Sequence, residues 1–258
     1  MIHSASSKVS LAAASLLLFV GMQSLSSAQA AGPDILLATL AEKDAATPEV
    51  NTVQMREILA EKSALVLDTR SRPEFDAGHL PGALHLDAQG AQYVEAVIQA
   101  ARGDKARALV LYCNGPYCQA SRRLAEQLSK AGFANVRRYQ LGMPVWRALG
   151  GPTQVEASGV GRIFGKDRTA VFIDVRAQAE VSKGTLEGAL NAPLEDVISG
   201  KLAKIDLPED DFNRRIVIFG ASGDQALKLA QILSKRPWHN VMFFGGGYSE
   251  LKTAIAAP

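Results

Sequence analysis

Short apolar runs and helically spaced apolar positions alternate along most of this chain. Apolar runs at 64–68, closed by Asp68, and at 108–112 have the length and β-rich content of buried strands, and 136–139 is expected as a third strand. Between them, apolar residues recur at helical spacing, most clearly in Ala120, Leu124, Ala125 and Leu128. The pattern predicts helices over 52–60, 91–101 and 119–131. The second half repeats the scheme, with strands near 170–174, 215–219 and 241–244 and a helix near 223–235. Strands that alternate with helices predict an α/β fold, with a mainly parallel sheet covered by helices on both faces. In such sheets, ligands bind outside the carboxyl ends of the strands.

The two halves also match residue by residue. Leu65-Val66-Leu67-Asp68-Thr69-Arg70 recurs as Val171-Phe172-Ile173-Asp174-Val175-Arg176. At the same offset Glu74 pairs with Glu180, Gly78 with Gly184, Leu80 with Leu186, and Gly82-Ala83-Leu84 with Gly188-Ala189-Leu190. Further on, Val110-Leu111-Tyr112 pairs with Val217-Ile218-Phe219, and Gly142 with Gly247. This order of matches indicates a tandem duplication of a domain of roughly 100 residues. The first copy is expected over 51–150 and the second over 166–258. A Gly-punctuated linker is expected at 151–165, and a loosely packed Ala-rich lead-in at 31–50.

Composition is that of an ordinary globular protein, with 47% hydrophobic and 21% charged residues. A net charge of +2 gives no electrostatic footprint for nucleic acid. The N-terminus changes the picture. Lys8, the apolar stretch Leu11 to Met22 and the small-residue pattern Ala28-Gln29-Ala30 read as a secretory signal peptide over residues 1–30. No cysteine follows the apolar stretch, so a lipid anchor is not indicated. The expectation is export to a bacterial periplasm, with no membrane attachment after cleavage.

Two cysteines in an exported protein usually suggest a structural disulfide. Cys113 and Cys118 are instead five positions apart, and so small a ring adds little to fold stability. The pair reads as chemical. Cys113 ends a strand pattern, Asn114-Gly115-Pro116-Tyr117 breaks it, and a helix pattern starts at Cys118. Backbone N–H groups of such a loop, together with the helix N-terminus, favour a thiolate.

These residues resemble the rhodanese-like family. Asp68-Thr69-Arg70, Glu74-Phe75 and Gly78-His79-Leu80-Pro81-Gly82-Ala83 look like its first signature. Tyr112-Cys113 with a short Gly-containing loop resembles its active-site loop, and Gly142 followed by Trp146 resembles its closing segment. The resemblance covers nearly all of residues 50–258 as two such domains. It implies sulfur transfer through a persulfide on Cys113, from a donor such as thiosulfate to an acceptor such as cyanide or a thiol; a persulfide donor and a periplasmic protein thiol partner are expected as well. It also implies an active-site loop of Asn114, Gly115, Pro116, Tyr117 and Cys118. Phosphatases of related fold need an arginine where this chain has Gln119. Many single-domain members carry arginine where Cys118 stands, which weakens the case for thiosulfate.

Several residues keep two readings. Asp68 and Arg70 either add potential to the pocket or pin the loop after the strand. Arg122 and Arg123 either supply positive charge or form solvated helix surface. His79 is expected to make structural hydrogen bonds, and Trp146 and Trp238 to pack. Cys118 is either a resolving thiol or a small apolar filler. The His and Cys residues show no metal-ligand spacing, and no organic-cofactor motif is evident. In the second copy Gly220 stands opposite Cys113 in a loop two residues shorter, so that copy is expected to be catalytically inactive. Two rival functions remain: a thiol–disulfide or persulfide relay using both cysteines, and a non-enzymatic binding module.

Overall fold

The protein is described here by a computed structural model that covers Met1 and residues 34–256, apart from 41, 43, 44, 89 and 203. The export signal read over 1–30 lies, Met1 excepted, outside the described residues. From residue 34 onward the described residues fall in one compact unit that holds both repeats.

The first repeat builds a four-stranded parallel sheet from β1 (Leu65–Asp68), β2 (Leu84–His85), β3 (Leu109–Tyr112) and β4 (Val136–Tyr139), in the order β2-β1-β3-β4. Its helices are α1 (Thr52–Glu61), α2 (Arg72–Ala77), α3 (Ala91–Ala100), α4 (Gln119–Lys130) and α5 (Gly142–Ala148). The central strand β3 is buried along its whole length. Val110 and Tyr112 pack with Met55, Ile58, Leu80 and Trp146, whereas Leu109 and Leu111 pack with Val97, Leu124 and Leu128. Successive side chains point to opposite faces of a strand, so a continuous apolar run is what a sheet covered on both faces requires.

The second repeat has five parallel strands in the order β5-β9-β8-β6-β7, from β5 (Thr153–Val155), β6 (Val171–Asp174), β7 (Leu190–Asn191), β8 (Ile216–Phe219) and β9 (Val241–Phe244). Around it lie α6 (Ala157–Lys166), α7 (Gln178–Val181), α8 (Leu194–Ile198), α9 (Gly223–Leu233) and α10 (Tyr248–Ala256). The strands and long helices expected from the pattern form within a residue or two of their expected ends. Among the described residues, no helix is long and apolar enough to cross a membrane.

Residues 151–165 are not a linker. They form β5, which pairs with β9, and most of α6, which packs on α2. Gly159, within the expected linker, lets α6 approach α2: a Cβ there would collide with the carbonyl oxygen of Asp76. The end of the lead-in is likewise structured. The Val50 amide donates to the Arg138 carbonyl (2.7 Å), and the Arg138 amide to that of Pro48 (3.0 Å), so Glu49 bridges β4 in parallel. Each repeat therefore begins with a short extended segment on its β4- or β9-type strand, followed by a ten-residue helix. These segments are too short to show period two, and three glycines in α6 mask its helical signal.

The first-signature turn of repeat one docks on repeat two. His79 and Gln154 exchange backbone hydrogen bonds (2.8 and 2.9 Å), and the Gly82 amide donates to the Gln154 side chain (2.9 Å). His79 is fully buried, stacks on Phe75 with ring centroids 3.7 Å apart, and places Nδ1 2.9 Å from the Phe75 carbonyl. Trp146 donates to the Pro152 carbonyl and Trp238 to that of Pro208. All three are packing residues.

Candidate active site at the Cys113 loop

Cys113 follows β3 directly, at the carboxyl edge of the sheet, and is only 3% exposed. Its carbonyl accepts from the Met143 amide at the start of α5 (3.1 Å). That contact needs Gly142, whose φ of +62° suits glycine and where a Cβ would collide with the Cys113 carbonyl and the Gly115 amide. Gly115 adopts φ +98°, and its carbonyl accepts from the Cys118 amide (3.1 Å), which closes the loop into a turn. The Cα atoms of Cys113 and Cys118 are thereby 6.1 Å apart, inside the span a disulfide requires, and the two sulfurs are bonded.

Cys118 is the N-cap residue of α4 and makes no side-chain cap hydrogen bond. The first-turn amides of a helix have no intrahelical acceptor, so they offer partial positive charge beside both sulfurs. Of the loop residues, Tyr117 is 96% exposed, Asn114 is exposed, Pro116 and Cys118 are partly exposed, and Gly115 is buried. Asn114 donates to Glu74 (2.5 Å), whose other oxygen accepts from the Ser71 amide and hydroxyl. Those Ser71 bonds, aided by the one from Asn114, hold the Glu74 carboxyl below its ordinary range.

Asp68 and Arg70 form a buried ion pair at the end of β1. Arg70 reaches both Asp68 oxygens, at 2.6 Å in the closest contact, and also donates to the Gly78 carbonyl (2.8 Å). The Tyr112 phenol donates to Asp68 (2.6 Å) and accepts from the Leu80 amide (3.1 Å). Burial, then the Asp68 charge, pushes that phenol well above its ordinary pKa. The pair thus pins the strand ends and the α2 turn beneath Cys113, as the structural reading of these residues expects. Arg122 pairs with Glu126 (3.2 Å) and Glu42 (3.9 Å). Glu42 is shared with Arg138, which holds the same oxygen at 2.7 Å.

Sequence reasoning did not single out Tyr112 as a polar anchor, because a tyrosine in an apolar run reads as core. It also missed Glu74 as the partner of Asn114. The capping pattern Ser71-x-x-Glu74 was the available signal.

The second repeat reproduces the frame without the thiol. Asp174 and Arg176 repeat the buried pair (2.6 Å), and the Tyr248 amide donates to the Gly220 carbonyl (2.8 Å) as Met143 does to Cys113. Gly220 is therefore the counterpart of Cys113. Only Gly220, Ala221 and Ser222 separate β8 from α9, where six residues, 113–118, separate β3 from α4. The loop is shorter by three residues, one more than the alignment predicted. The Ser222 hydroxyl caps α9.

A family profile described as Rhodanese-like domain matches residues 51–149 and 160–254. Solved structures similar to this chain include a thiosulfate sulfurtransferase from Pseudomonas aeruginosa, at 18% identity and TM-score 0.34, covering 78% of this chain and 41% of that one. An EanB variant in complex with hercynine matches at 17% identity and TM-score 0.37, covering 83% of this chain and 62% of that one. The rhodanese-like domain of an Anabaena protein matches at 25% identity and TM-score 0.34, covering 42% of this chain and 79% of that one. The chain thus spans less than two thirds of the first two structures.

Proposed function

Since this chain belongs to the rhodanese-like domain family, we propose that it is a sulfurtransferase working through a persulfide on Cys113. The observation that carries the reading is the placement of Cys113: buried at the end of the central strand, opposite the uncapped N-terminus of α4. In the reduced enzyme the Cys113 thiolate attacks the sulfane sulfur of a donor. With thiosulfate, the bond between that sulfur and the sulfonate breaks and sulfite departs with the bonding pair. The outer sulfur of the persulfide is then taken by a thiophilic acceptor, cyanide or a thiol. Both anionic forms of Cys113 are stabilised by the same amides, and covalent catalysis divides one transfer into two displacements.

Repeat two supplies no nucleophile at the matching position, and its role is to hold the Gly78–Gly82 turn through β5. Export to the periplasm is part of the same proposal and rests on the pattern of residues 1–30.

The test is transfer of sulfur from thiosulfate to cyanide by the reduced protein expressed from Ala31. Cys113→Ser should lower turnover at least about a thousandfold, the scale of losing a covalent nucleophile. Absence of turnover in the reduced wild type would favour the relay or a binding module, and turnover that survives in Cys113→Ser would overturn the Cys113 persulfide.

A further inference from the structure

Cys118 has a place in the chemistry that simple sulfur transfer leaves unused. It is the only other cysteine in the chain, and the loop curls so that it meets Cys113. Three features produce the curl: the left-handed backbone at Gly115, the turn from the Cys118 amide to the Gly115 carbonyl, and the clamp of the α5 start on Cys113. None depends on a global rearrangement. The two sulfurs also differ in access, since Cys113 is 3% exposed while Cys118 is partly exposed beside the fully exposed Tyr117.

Resting on the persulfide reading above, we propose that Cys118 is a resolving thiol that makes this site a sulfide-releasing, dithiol-dependent reductase of sulfane sulfur. The Cys118 thiolate attacks Sγ of the Cys113 persulfide. The Cys113–Cys118 bond forms, the bond to the outer sulfur breaks, and that sulfur leaves as hydrosulfide and takes up the proton that Cys118 gave to solvent. The sulfane sulfur gains two electrons and the cysteine pair loses two. The pair is restored by a dithiol. One of its thiolates attacks Sγ of Cys118, the accessible sulfur, and Cys113 departs as a thiolate into the amide environment that favours it. The second dithiol sulfur then closes its own disulfide and releases Cys118. Attack on the outer partner leaves the nucleophile charged and ready for the next donor.

The experiment is a single turnover without reductant. The protein is reduced, freed of reductant under anaerobic conditions and mixed with thiosulfate or, in parallel, inorganic polysulfide. Wild type should release a stoichiometric burst of sulfide and lose both titratable thiols. Its mass should match the intramolecular disulfide. Cys118→Ser and Cys118→Ala should release no sulfide and gain the mass of one sulfur, which cyanide then removes. If wild type instead retains the persulfide with Cys118 still titratable, the resolving role is overturned while sulfur transfer stands. If neither Cys118 variant takes up cyanide-labile sulfur from either donor, the persulfide reading fails and takes this inference with it.

Discussion

The phenol of Tyr112 donates to Asp68 at 2.6 Å, so the residue immediately before Cys113 is tied to the end of the neighbouring strand. At the equivalent register of the second sheet, Phe219 lies opposite Asp174, and Thr185 donates to Asp174 in its place (2.7 Å). Both repeats satisfy the buried carboxylate, but only the first does so from the strand that carries the cysteine.

Tyr112→Phe should therefore leave Asp68 and the Leu80 amide each short of a partner in the core. An unsatisfied buried polar group costs about 1–3 kcal/mol. Urea unfolding of the reduced variant should show a loss in that range. A change no larger than a few tenths would mean that the phenol is dispensable to the frame.

Gly142→Ala tests the clamp on the loop. The new Cβ meets the Cys113 carbonyl, and alanine is strained at φ +62°. Stability should fall by about 1–3 kcal/mol, and sulfur transfer in the variant that remains folded should fall at least tenfold. Gly82→Ala, also at positive φ but with nothing within 4 Å of its Cβ, is the control for strain without collision.

Two buried groups give opposite pH dependence. Burial pushes the His79 imidazole from 6.5 down to about 4, against weaker pulls from the Phe75 carbonyl, Asp68 and Asp76, while Glu156 lies 3.6 Å away. Its neutral form is the folded one, so this contribution is complete above pH 6.5 and is lost as pH falls toward 4. Burial pushes the Glu49 carboxyl from 4.5 up to about 7, opposed by Arg138 and the bond from the Gln140 amide. That contribution is complete below pH 4.5 and is lost as pH rises through 7. Relative to wild type, His79→Asn should flatten the acid limb by on the order of 2 kcal/mol between pH 6.5 and 4.5, and Glu49→Gln should steepen it. Unfolding curves at both pH values check the two signs. Parallel stability profiles for the three proteins would remove both assignments.

Gly220→Cys should not create a second active site. The new thiol would sit at the matching strand end, yet the loop is three residues shorter, the α9 cap is occupied by Ser222, and a Cβ would meet the Val175 side chain. Introduced into Cys113→Ser, it should restore no measurable transfer to cyanide. Restored turnover would show that a strand-end thiol alone is enough.

Much of the architecture is legible in the chain itself. Runs such as Leu109–Tyr112 and Ile216–Phe219 are buried on both faces, so their strand character does not depend on what packs against them. The duplication, the position of Cys113 and the absence of a cysteine from the second copy follow from comparing one half with the other. Each is a local signal, carried by side chains a few positions apart or by the chain's likeness to itself.

What only the tertiary structure decides are the contacts that close the site. The segments 48–50 and 153–155 become strand partners through hydrogen bonds to β4 and β9, and three extended residues carry no periodicity of their own. His79 is a packing residue because Phe75 and β5 of the other repeat enclose it. Tyr112 is a polar anchor because Asp68 ends the neighbouring strand. Cys118 meets Cys113 because the backbone turns at Gly115 and α5 seats against the loop. Side-chain spacing records which face a residue occupies, but which buried donor finds which acceptor is settled only when distant parts of the chain pack together.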